Sequence, residues 1–192
     1  KELCIHELFH ALDRVHSIEL PGVFGERLLE ERGLTDTSWS GFLHGKCLQI
    51  FNQNVNTVRT DCSEITRVTE LFLAEVALLP TTIKPSLVHG DLFFPNIMAS
   101  LDGKITGIID FSDLTIVGDP MIDYVSLALF AREEEGQTRI NDLLYARFQD
   151  EFLDRKRLYG AYYALRFCGC KFSDPNTYAW CLEEFRRYVS AC

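Results

Sequence analysis

Two short apolar runs, Ile97-Met98-Ala99 and Ile105 to Ile109, sit either side of Asp102-Gly103 in the middle of the chain. Runs this short around an aspartate–glycine pair predict a β-hairpin, because glycine supplies the positive φ that a tight turn requires. A third run, Leu87-Val88, reads as a strand just upstream. Asp91 follows that strand, Asn96 closes the loop into the hairpin, and Asp110 ends its return strand. A hairpin brings its two ends together. It therefore sets Asp110 beside Asn96 although the two lie well apart in sequence, with Asp91 close by.

Helical periodicity surrounds this hairpin. From Leu3 to Val15 the apolar residues Ile5, Leu8, Phe9, Leu12 and Val15 form a stripe, and Pro21-Gly22 ends the segment. Pro21 to Ser40 is irregular, with a short helix predicted around Arg27 to Arg32, and a second helix is predicted over Gly41 to Asn52. Asp61 and Glu64 resemble a capping box for a third helix, whose stripe runs through Ile65, Val68, Phe72 and Val76. After Asp110 a loop leads to Asp119-Pro120, where Asp119 can cap and Pro120 can open the next helix. Further helices are expected over Gln137 to Phe148, Glu151 to Phe167 and Pro175 to Val189. The expected class is α+β and mostly helical, with one small hairpin.

The 192 residues are 47% hydrophobic and 24% charged, enough for a sizeable core in a single domain. A net charge of -9 argues against a nucleic-acid partner and suits a cationic small molecule. No apolar run approaches the ~20 residues of a membrane helix, so no membrane partner is expected. The first residues alternate charged and apolar side chains, unlike a signal peptide. A start at Lys1 reads as a fragment or processed product. The 7 scattered cysteines form neither a disulfide framework nor zinc-type pairs, and reduced thiols in a cytoplasmic protein fit them best.

The hairpin residues supply what phosphoryl transfer from ATP needs. A carboxylate must orient a hydroxyl and accept its proton, and oxygen ligands must hold magnesium over the phosphates. Asp91 suits the first task, and Asn96 and Asp110 suit the second. Asp and Asn also populate ordinary turns, but three at matched positions around one hairpin fit the chemical reading far better.

The stretch His89-Gly90-Asp91-Leu92-Phe93-Phe94-Pro95-Asn96, followed by Asp110-Phe111, resembles the catalytic loop and metal-binding aspartate of protein kinases and aminoglycoside phosphotransferases. Gly90, Gly107 to Asp113, Gly118-Asp119-Pro120 and Asp123 are similar to the phosphotransferase branch, as is the first helix ending in Leu12, Val15, His16 and Ser17. The resemblance implies the carboxy-terminal lobe of the protein-kinase-like fold over residues 1–192. It implies Asp91 as base, Asn96 and Asp110 as magnesium ligands, His89 as a structural residue of the loop, and Asp123 bracing that loop. ATP and Mg2+ follow as co-substrate and cofactor, and a hydroxylated small molecule as acceptor. In aminoglycoside 2''-phosphotransferases, acidic residues after the following helix and an aromatic on the last helix help to line the sugar site. Asp113, Glu133, Glu134, Glu135, Trp180 and Glu183 sit in similar places here, although each is equally suited to a solvated face or an ordinary core. An aminoglycoside acceptor would carry antibiotic resistance with it; choline, homoserine, fructosamine and macrolide kinases resemble the same pattern.

The amino-terminal nucleotide-binding lobe of that family has no counterpart in these residues. Gly22 and Gly25 do not make a glycine-rich loop, and Lys46 lies on a predicted helix rather than a strand. The lone lobe is expected to be inactive, which keeps a non-catalytic, kinase-derived binding module as an alternative. A third reading comes from His6-Glu7-Leu8-Phe9-His10, which matches the zinc-protease pattern H-E-x-x-H. His16 falls where one protease class has its third ligand, but that class needs a glycine where this chain has Asp13 within a continuous helical stripe. A structural pair of histidines is the better account.

Overall fold

The structure is a computed structural model, and it describes residues 5–20, 22–26, 33–112, 114–132 and 136–191. The chain divides into two compact units. One holds Lys1–Trp39 and Thr82–Lys156; the other holds Ser40–Thr81 and Arg157–Cys192.

In the first unit, helix α1 (Ile5–His16) buries Leu8, Phe9 and Leu12 along the predicted stripe. Four short strands follow in a sheet ordered β2-β1-β6-β3: β1 (Phe24–Gly25), β2 (Thr35–Asp36), β3 (Ser86–Val88) and β6 (Ile116–Gly118). Its paired strands run antiparallel. The hairpin is present as β4 (Ile97–Ala99) and β5 (Ile105–Ile108), with Ile97 opposite Ile108 and Met98 opposite Gly107. Gly103 turns the chain at φ 90, and its N–H donates to the Ser100 carbonyl (2.9 Å). Helices α4 (Met121–Phe130) and α5 (Gln137–Phe148) complete the unit, together with the start of α6 (Asp150–Phe167).

The predicted loop between Asp110 and Asp119 contains β6. Ile116 and Val117 are buried, and Val117 pairs with both Leu87 and Gly25. Three residues are too few to show an alternating pattern, so the strand owes its existence to partners on either side. The same holds for β1, which lies between β2 and β6, and β2 is held by its pairing with β1 alone, both in a stretch that reads as irregular. The short helix predicted around Arg27 to Arg32 lies outside the described residues. Asp119 does start α4: its Oδ1 accepts the Met121 N–H (3.0 Å), and Oδ2 takes the Arg155 Nε–H (3.2 Å) in a buried ion pair.

The second unit is helical. Helix α2 (Trp39–Val58) is longer than the predicted Gly41 to Asn52, because its last turns carry Val58 to full burial. Helix α3 (Ile65–Val76) buries Val68, Phe72 and Val76. Tyr162 of α6 stacks on Phe72 with ring centroids 6.4 Å apart, and helix α7 (Pro175–Ala191) adds buried Tyr178, Phe185 and Tyr188. The expected capping box at Asp61 does not form. Asp61 Oδ2 instead accepts from the Tyr178 hydroxyl (2.8 Å) and pairs with Lys171 (2.6 Å), and Glu64 at the helix start makes no side-chain cap. A charged partner on another element outbids a local backbone N–H. The described cysteines are free thiols, and burial pushes those of Cys47 and Cys168 up to about 12. Among the described residues no helix is long and apolar enough to cross a membrane.

Candidate active site

The chain leaves β3 at Val88 and turns sharply through Gly90, whose φ is 79. A Cβ at Gly90 would lie 2.0 Å from the Leu114 carbonyl oxygen, so both the backbone angle and the space demand glycine. The next residue is Asp91. Leu92 anchors the loop in the core at full burial, and a 3-10 turn over Phe94–Asn96 leads into β4.

Helix α4 holds this loop from beneath. Asp123 is fully buried and accepts three hydrogen bonds: Oδ2 from the His89 N–H (2.9 Å) and from His16 Nε2 (2.9 Å), and Oδ1 from the Gly90 N–H (2.9 Å). One turn further on, the Ser126 hydroxyl donates to the Leu92 carbonyl (2.7 Å). A buried carboxylate is costly unless saturated with donors, and here two backbone N–H groups and an imidazole supply them. The loop and the end of α1 are thus tied to a single side chain.

His89 links the loop to the hairpin. Its Nε2 lies 2.8 Å from the Ile109 carbonyl oxygen, and its Nδ1 lies 3.3 Å from the Asp91 N–H. One carbonyl and one N–H together require the neutral tautomer protonated at Nε2. Phe111 packs on the same ring at 4.8 Å. The Ile109 N–H donates to the Asn96 carbonyl (3.0 Å), which sets Asp110 one residue from the point where the two hairpin ends join.

The side chains at that point are arranged as oxygen donors. Asn96 is buried, and its Nδ2 donates to the Asp91 carbonyl (3.0 Å), while its amide oxygen takes no hydrogen bond from the described residues. Asp110 is exposed, and its backbone is in the left-handed region at φ 64, a conformation Asp tolerates better than most residues. The donor set fits magnesium, which takes one or two protein oxygens and completes its shell from phosphates and water.

The other sequence candidates fall elsewhere. Trp180 and Glu183 are on α7 in the second unit, with Trp180 half-buried and Glu183 paired to Arg187 on its own helix. Asp113, Glu133, Glu134 and Glu135 lie outside the described residues. His6 and His10 are exposed on α1, while Glu7 Oε2 accepts the Ile105 N–H (3.3 Å). His16, the third residue of the zinc reading, is committed to Asp123. Among the described residues no group of three or more His, Cys, Asp or Glu side chains is placed to hold a metal ion. Sequence reasoning missed the His16–Asp123 bond and Ser126. The available signal was an aspartate and a serine one turn apart on an otherwise apolar helix.

A model of the phosphotransferase enzyme family matches residues 5–165. The chain belongs to that family. Solved structures share its fold. A protein assigned as fructosamine-3-kinase from Haemophilus somnus 129PT is 20% identical with a TM-score of 0.66, covering 98% of this chain and 65% of its own. A thermostable mutant of the aminoglycoside phosphotransferase APH(4)-Ia, solved with AMP-PNP and hygromycin B, is 17% identical with a TM-score of 0.71, covering 97% and 64%. The chain therefore spans less than two-thirds of the length of either. No curated protein matches it significantly.

Proposed function

We propose that these residues form the catalytic lobe of an ATP-dependent small-molecule kinase, which moves the γ-phosphate to an acceptor hydroxyl. Asp91 would accept the hydroxyl proton as the oxygen bonds to phosphorus and the bond to the departing ADP breaks. Asn96 and Asp110 would hold magnesium, which neutralises charge on the phosphates when bound. Asp123, with His16 and His89, would keep Asp91 and Asp110 in register. The observation that carries this reading is the junction where the Ile109 N–H meets the Asn96 carbonyl, beside a loop fixed by a saturated buried carboxylate.

Family membership supports the class of reaction, and a neighbour crystallised with AMP-PNP and hygromycin B supports a nucleotide and a hydroxylated acceptor. The acidic charge of -9 favours a cationic acceptor such as an aminoglycoside or another hydroxylated amine. The glycine-rich loop and strand lysine that would clamp the α- and β-phosphates are not among these 192 residues. The decisive experiment therefore screens hydroxylated amines for phosphorylation by a polypeptide that joins these residues to an amino-terminal nucleotide-binding lobe. Product formation that depends on magnesium and disappears with Asp91→Asn supports the reading. Product formation that survives Asp91→Asn overturns the assignment of the base.

A further inference from the structure

A groove runs between α1 and β5 in the first unit. A cavity of about 390 Å³ is lined by Glu7, His10, Arg14 and Ile105. A second, of about 280 Å³, shares Arg14 and Ile105 and continues past Val15, Gly107 and Ile108 to Phe111. From Glu7 to the end of α1 and the turn beyond is roughly 15 Å at 1.5 Å per residue, the reach of about five extended residues.

Three features of the groove go unused by the catalytic reading. Among the described residues strand β5 pairs with β4 alone; on its other side Glu7 takes the Ile105 N–H, and from Thr106 onward no strand lies beside that edge. The walls at one end are apolar yet exposed, Ile18 at 48% and Phe111 at 45%. Arg14 is exposed in the middle, and no side chain among the described residues pairs with its guanidinium. Gly107 adds a further point. Its φ is not positive, and a Cβ added there meets nothing within 4 Å, so neither backbone nor packing explains the glycine.

We propose that this groove docks an extended peptide segment of a partner protein, which adds as a strand to the free edge of β5. Backbone pairing supplies affinity in such additions, and side-chain pockets supply the selectivity. Apolar side chains of the segment would cover Val15, Ile18 and Phe111, and a carboxylate would pair with Arg14. The proposal stands independently of the role given to Asp91, although an occupant would touch Phe111, whose ring packs on His89 next to Asp110.

The probe is a blocked, fluorescent six-residue peptide alternating isoleucine with glutamate, titrated by anisotropy into the 192-residue chain. A version with lysine for glutamate is run beside it. We expect saturable binding of the acidic peptide, with amide shifts centred on Thr106 to Ile108. Arg14→Glu should weaken it roughly 10-fold or more, as expected for one close charge pair. Gly107→Leu, which fills open space, should abolish it. If Gly107→Leu fails to fold, the charge swap decides: Arg14→Glu must then favour the lysine peptide. Equal binding of the two peptides, binding indifferent to both variants, or no binding at millimolar peptide overturns the proposal. So does competition by decanoate alone at equal strength, which would mark a site for small apolar acids, or a chain dimer that Gly107→Leu dissociates.

Discussion

Gly90 and Asp91 are neighbours whose substitutions should fail in different ways. Gly90→Ala must relieve a contact of 2.0 Å with the Leu114 carbonyl and hold φ near 79. It should cost at least about 2 kcal/mol and lower Tm by several degrees, as backbone strain with a steric clash does. An unchanged melting curve would mean that the loop is not held as described. Asp91→Asn changes no packing and should leave stability alone, while lowering kcat by roughly 10²–10⁴ in a form competent for turnover. Near-full activity would remove Asp91 from the chemistry. The two residues also differ in how far the sequence reveals them. Asp91, Asn96 and Asp110 stand out because a hairpin turn between them dictates that their ends meet. The need for glycine at position 90 depends on Leu114, on a segment that no local pattern brings near. His16 was visible as a residue but not as a partner of Asp123, since that bond joins positions 107 apart.

At the scale of elements, α1 is fastened by more than its apolar stripe. Asp13 accepts from the Arg147 guanidinium (2.8 Å) and from the Tyr124 hydroxyl, and Arg147 also lies over the Tyr124 ring at 5.4 Å. Partial burial pushes the Asp13 carboxyl up, but Arg147 and Tyr124 together hold it below the ordinary value of 3.8. A carboxylate with a depressed folded pKa stabilises fully above its unfolded value, and that contribution fades as pH falls through the folded one. Arg147→Met should therefore destabilise at neutral pH by up to about 1 kcal/mol, given that the pair is partly exposed. The gap between variant and parent should narrow as pH falls through the folded pKa of Asp13, which lies below 3.8, and the carboxyl becomes protonated in both. A gap that stays constant through that titration would assign the effect to packing over Tyr124 instead. On the same helix, metal analysis of purified protein should find far less than one equivalent of zinc; one tight zinc lost with His10→Ala would revive the hydrolase reading. The long helices were legible because each carries its own stripe, and α5 has the predicted bounds Gln137–Phe148. Strands β1, β2 and β6 were not, because two or three residues become a strand only through what pairs beside them. The Asp61 cap failed for the related reason that Lys171 and Tyr178, remote in sequence, claim its carboxylate.

Across the whole chain, the candidate site supplies only part of what a nucleotide needs. On the proposed reading Asp91, Asn96 and Asp110 would act on the γ-phosphate and the acceptor, and none of the three would clamp the α- and β-phosphates. Positioning provides much of the rate in phosphoryl transfer, so a site with half its clamp should turn over negligibly. Binding is a separate matter, and electrostatics decides it. The chain carries a net charge of -9, and Asp110 presents an exposed carboxylate where the phosphates would lie. Free ATP is a polyanion and should be repelled; magnesium removes much of that charge and offers Asp110 and Asn96 something to bind. We therefore expect calorimetry on the 192-residue chain to detect weak ATP binding in the presence of magnesium and none after chelation. Asp110→Asn should abolish the magnesium-dependent part while leaving the thermal transition in place, since the Asp110 side chain is exposed. Tight ATP binding without metal would show that cations elsewhere hold the phosphates. Turnover by the 192 residues alone, at rates of about 1 s⁻¹ or more, would show that the clamp lies within them after all.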